Sequence, residues 1–75
     1  MSFGVILFPS THFAIRAEKR VKEKGLTVKL IPVPRHLSSD CGVCLRILWE
    51  QKEEIQNLLE REGVKMEEIH HLPEK

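Results

Sequence analysis

The sequence predicts an α+β fold of the ferredoxin-like split β-α-β type (βαββαβ), a four-stranded antiparallel sheet with two helices on one face. Two observations carry that expectation. Short apolar or alternating runs and two longer segments with apolar residues at helical spacing follow one another in the order β-α-β-β-α-β. Glycines and prolines stand between them as punctuation. For that order the right-handed crossover rule prunes most other topologies.

Each element has its own signal. Phe3 to Phe8 is a continuous apolar run closed by Pro9, the pattern of a strand buried on both faces. Ser10 or Thr11 can cap the helix that follows, in which Phe13, Ala14, Ala17 and Val21 form an inward stripe. Gly25 ends it. Leu26 to Ile31 alternates as a second strand, stopped by Pro32 and Pro34, which lack backbone donors. Pro32 to Gly42, reading PVPRHLSSDCG, is a loop. In the third strand Val43, Leu45 and Ile47 share one face and Cys44 and Arg46 the other. The second helix runs from Glu50 to Glu62, with Ile55, Leu58 and Leu59 inward and Gly63 as its stop. Val64 and Met66 begin a fourth strand whose alternation breaks at Glu67 and Glu68 before Ile69, as a bulge or an early strand end would produce. In this topology the Ser10 to His12 junction and the Arg35 to Gly42 loop share one end of the sheet, and His70 and His71 fall at the other.

At 75 residues the chain is expected to form one domain, residues 1–75, with little room for an enclosed active site. Twelve Lys and Arg against eleven Asp and Glu, interspersed, imply no field for nucleic acid or an anionic membrane. Three Phe, one Trp and no Tyr leave few platforms for stacking on bases. The apolar start, Met1 to Phe8, lacks a cationic leader and a cleavage pattern, so it does not read as a signal peptide, and no other run is long enough to span a bilayer. Two cysteines three positions apart then point to reduced thiols in a cytoplasmic protein rather than to a disulfide framework.

Three segments, PSTHFAIRAEK (Pro9 to Lys19), GLTVKLIPVPR (Gly25 to Arg35) and LSSDCGVCLR (Leu37 to Arg46), resemble the selenium/sulfur (Se/S) carrier protein-like family. IPVPR followed by SSDCG is the specific part. The resemblance implies a ferredoxin-like carrier whose loop cysteine, here Cys41, holds sulfur or selenium as a persulfide or selenosulfide. It also implies a donor protein, a cysteine desulfurase or sulfurtransferase-like partner, and an acceptor protein that the sequence does not name. The family usually has a small apolar residue such as Ala where this chain has Cys44. A carrier of this kind is not an enzyme in the turnover sense.

A carrier thiol must be a thiolate to attack donor sulfur and a good leaving group when it passes the cargo on. Arg35 and His36 share the loop with Cys41, and the first helix directs its unpaired N–H groups toward the same end, at Ser10, Thr11 and His12. Asp40 opposes them by repelling a neighbouring thiolate. Gly42 permits a backbone conformation that keeps the loop tight and Cys41 uncovered. The competing reading of Cys41 is a loop thiol that only packs.

Cys44 is either the resolving partner of a C-x-x-C pair with Cys41 or a small buried hydrophobe on a strand. Arg35 either binds anionic cargo or a partner carboxylate, or is a solvated loop charge. Ser10 and Thr11 are read first as helix caps, and helix-end anion binding comes second. Two rivals to the carrier stand beside it: a dithiol oxidoreductase using Cys41 and Cys44, and a ferredoxin-like module that binds a small anion or a partner with Cys41 incidental. A zinc site from Cys41, Cys44 and histidines has the right ligand types, but the topology sends His70 and His71 to the far end; no metal and no cofactor are expected. Glu18 and Lys22 are spaced for an ion pair on a solvated helix face.

Overall fold

The computed structural model describes residues 2–37 and 42–72. Strands β1 (Phe3–Leu7), β2 (Val28–Pro32), β3 (Val43–Leu48) and β4 (Glu68–His71) and helices α1 (Thr11–Glu23) and α2 (Lys52–Arg61) follow one another as β1-α1-β2-β3-α2-β4. The sheet order is β2-β3-β1-β4, and all three pairings are antiparallel. This is the ferredoxin-like arrangement. It places β1 and β3 in the centre, and the unbroken apolar run of β1 follows from that position: Ile6 faces the helices, Val5 and Leu7 face the other way, and none is exposed.

The larger core lies between the helices and the sheet. Ala14, Ala17 and Val21 of α1 and Ile55, Leu58 and Leu59 of α2 meet Ile6, Phe8, Val28, Leu45 and Ile47. Each large aliphatic side chain so buried contributes about 1.5–3 kcal/mol against exposure. On the face turned away from the helices a smaller cluster forms around Val5, Leu7 and Cys44, with Ile31, Val33, Leu37 and Leu72 packed on it.

The boundaries differ from the sequence reading in four places. Leu26 and Thr27 precede β2, because Leu26 donates its amide to the Val21 carbonyl (3.4 Å) and packs under the helix exit. Pro32 belongs to β2 rather than stopping it, which an edge strand tolerates. A 3-10 turn, Trp49–Gln51, precedes α2, which starts at Lys52. Val64 is core rather than strand: its amide closes on the Leu59 carbonyl (2.9 Å), and β4 begins only at Glu68. Glu67 donates to the carbonyl of Leu7 (2.7 Å), whose register partner is Glu68, so two residues stand against one as at a β-bulge. The Glu18–Lys22 ion pair forms as spaced, at 3.4 Å.

Candidate functional site

The register fixes which end of the sheet carries the β2–β3 loop. Val43 pairs with Pro32, and Cys44 stands between Ile31 of β2 and Leu7 of β1. The loop therefore rises where β1 ends and the chain passes through Pro9 into α1, so the two segments expected at one end are at one end. At the loop's foot the Val33 amide donates to the Gly42 carbonyl (3.2 Å), extending the ladder one step past β2. A turn follows, closed by the Leu37 amide on the Pro34 carbonyl (3.0 Å), with Arg35 and His36 exposed at its tip. Leu37 then drops back onto the Val5, Leu7 and Cys44 cluster. The arm leading toward Cys41 is thus tied down at its foot and four residues before the cysteine. Ser38, Ser39, Asp40 and Cys41 itself lie outside the described residues.

Gly42, directly after Cys41, has φ +76°, and a Cβ built there would meet nothing within 4 Å. The demand at this position is conformational rather than spatial, since L side chains avoid that region of φ. Cys44 is fully buried on the face away from the helices, with its Sγ 4.0 Å from the Pro32 carbonyl. At that distance the contact is weak, and the side chain packs with Val5 and Leu7.

Ser10 occupies the N-cap of α1 with extended backbone (φ −153°, ψ 160°), but its side chain makes no cap hydrogen bond, against the expectation that it would. Its carbonyl accepts the first helical bond, from Ala14 at 3.3 Å. The first turn of α1 holds no acidic residue, so no carboxylate there offsets the helix dipole. His12 is exposed, and its ring meets Phe13 edge-on at 6.0 Å.

The remaining histidines lie elsewhere. His70 pairs with Val5 in the middle of β1, and its Nε2 lies 2.6 Å from the Glu68 carboxylate; His71 pairs with Gly4 near the far end. There Trp49 stacks on the His71 ring, 4.3 Å between centroids and 8° from parallel, while the Lys52 ammonium stands 5.4 Å from the Trp49 ring centroid. Among the described residues no group of three or more His, Cys, Asp or Glu is placed to hold a metal ion. None of their helices is long and apolar enough to cross a membrane. Sequence reasoning missed two parts of this arrangement: the return of Leu37 to the sheet, and the role of Trp49. Leu37 is one apolar residue in a polar loop, which is a weak signal; Trp49 needed the partner strand to be known.

The family described as "Putative Se/S carrier protein-like" matches residues 3–71 of the chain. Among curated proteins, the uncharacterized protein YtiA of Escherichia coli (strain K12) is similar, 35% identical over 52 residues that cover 69% of this chain and 61% of YtiA. The chain thus spans less than two thirds of that relative's length. No solved structure matches.

Proposed function

The chain belongs to the Se/S carrier protein-like family, and from that premise we propose that it carries sulfur or selenium on Cys41, which takes cargo from a donor protein and passes it to an acceptor. The observation that carries this reading is the SSDCG segment, within the family match, whose glycine, Gly42, directly after Cys41, holds a left-handed backbone. In loading, the Cys41 thiolate attacks the terminal sulfur of a donor persulfide. The donor's S–S bond breaks, the donor cysteine departs as thiolate, and Cys41 becomes the persulfide; delivery repeats the exchange with Cys41 as leaving group. No external oxidant or reductant is consumed. A cysteine desulfurase or a sulfurtransferase-like protein supplies such a donor.

Arg35 and the start of α1 support the thiolate in this scheme, the first as an exposed cation of the same loop and the second through its unpaired N–H groups. Cys44 is assigned to packing, because a resolving thiol has to reach a mixed disulfide and this one has no exposed surface. Timed alkylation with iodoacetamide near neutral pH, read by peptide mass, tests the assignment of roles. Cys41 is expected to react at least about tenfold faster than Cys44, because accessible thiolate is the reacting species. Arg35→Ala is expected to slow Cys41 severalfold and leave Cys44 unchanged. Equal rates at the two cysteines would overturn the assignment, and an unaltered rate in Arg35→Ala would remove Arg35 from the mechanism.

A further inference from the structure

Although the two signs of charge alternate locally, they do not divide evenly along the chain. Residues 1–46 hold eight Lys and Arg against three Asp and Glu, and residues 47–75 hold four against eight. The fold turns this imbalance into a lateral one. The first part supplies α1, β2, β3 and the Cys41 loop, and the second supplies α2 and the β4 edge. The loop therefore lies in the basic half.

Within that half one surface stands out on α1. His12, Ile15, Arg16 and Lys19 follow at positions i, i+3, i+4 and i+7, so they share one face, and all four are exposed. Ile15 is 53% exposed, and no other large hydrophobic among the described residues is exposed. Of the two carboxylates of α1, Glu18 lies beside this face, and Glu23, one turn beyond Lys19, continues it; both are engaged in ion pairs. Glu18 pairs with Lys22 at 3.4 Å and Glu23 with Arg20 at 3.5 Å, while Arg16 and Lys19 have no ion pair among the described residues. The face starts in the first turn of α1, at the loop end of the sheet, and runs past the middle of the helix to Lys19. An exposed isoleucine alone is ordinary. One flanked by two cations without ion pairs among the described residues, on a face that starts at the end carrying the reactive loop, has the anatomy of a small interface: an apolar anchor beside a charged rim.

We propose that this face of α1, with Ile15 as anchor and Arg16 and Lys19 as rim, is the docking surface for the donor protein, which presents a carboxylate-lined apolar socket to it. The proposal rests on the carrier reading above for the identity of the partner, and its binding test does not depend on cargo. Complementary charge speeds encounter and selects partners more than it tightens the complex, which suits a carrier that must release its donor after each exchange.

The experiment titrates a cysteine desulfurase and, separately, a sulfurtransferase with the Cys41→Ser chain by calorimetry, so that docking is read without transfer. Binding is expected to weaken about tenfold between about 20 and 300 mM NaCl, since exposed charges are screened over that range. It is expected to weaken about tenfold or more in Arg16→Glu/Lys19→Glu and severalfold in Ile15→Ala. Circular dichroism checks that these exposed changes leave the fold intact. Absence of binding to both, or binding insensitive to both salt and the variants, overturns the proposal. So does salt-sensitive self-association of the chain alone, by sedimentation, that the double reversal abolishes, because the face would then belong to the acidic half of a second copy; so does single-stranded DNA binding tighter than the protein binding. The carrier reading is tested separately, by loading chain with Cys41 intact from inorganic polysulfide. Failure of that loading with docking retained sinks the carrier and leaves the surface standing.

Discussion

Replacing Cys41 with Ala is expected to abolish sulfur uptake outright, whereas Cys44→Ala should load to within about twofold of the parent chain. After incubation with a cysteine desulfurase and cysteine, intact mass would show one added sulfur on the parent and on Cys44→Ala, and none on Cys41→Ala. The physical reason is access. Cys44 sits in β3 between Ile31 and Leu7, in a cluster on which Val33 and Leu37 pack, with no exposed surface. To attack any persulfide, it would first have to leave the cluster that buries it. Mild oxidation should therefore leave two free thiols or give intermolecular dimers through Cys41. Quantitative formation of an intramolecular Cys41–Cys44 disulfide with a measurable two-electron potential would sink the single-cysteine carrier in favour of a dithiol oxidoreductase. Ala at position 44 removes one buried sulfur from a tight cluster, so a modest loss of stability, on the order of 1 kcal/mol, is compatible with full loading.

The strand order and the two amphipathic helices were legible because the sequence signals there are periodic and redundant. Several residues report each face, and burial follows them: every residue assigned inward in α2, and Ala14, Ala17 and Val21 in α1, is buried. Positions that depend on a single partner were not legible. Val64 looked like a strand residue because it is β-branched and apolar, yet it serves the core at the exit of α2, where a backbone bond to Leu59 holds it. Pro32 looked like a terminator because a central strand would exclude it, and only the sheet order shows that β2 is an edge. The face of Cys44 could be read from alternation, but not the packing of Leu37 on its cluster, since Leu37 reaches the sheet from a loop whose local chemistry says only turn. The reactive position, Cys41, was singled out by resemblance and by its neighbours rather than by periodicity, and it lies outside the described residues.

Gly4→Val is expected to cost the largest share of stability of any exchange in β1 made by adding atoms rather than removing them. Gly4 lies in a central strand with nothing unusual in its backbone; its requirement is the space above it. A Cβ there would fall 2.4 Å from Cε3 and 2.7 Å from Cζ3 of Trp49, and 2.9 Å from the His70 carbonyl oxygen. Trp49 cannot move aside freely, since it stacks on His71 and its amide donates to the Ser2 carbonyl at 3.0 Å. The expected loss is about 2–3 kcal/mol, the upper part of the range for overpacking. For a domain of this size that corresponds to a fall in Tm of roughly 10–20 °C. Trp49 is the one tryptophan, so its fluorescence reports the displacement directly. The double variant Gly4→Val/Trp49→Ala distinguishes a clash from a generic strand effect. If the indole is what the valine meets, the two changes should be coupled, the double losing at least about 1 kcal/mol less than the sum of the singles. Strict additivity would mean that Gly4 matters for its approach to the His70 carbonyl instead, and that Trp49 merely rests over it.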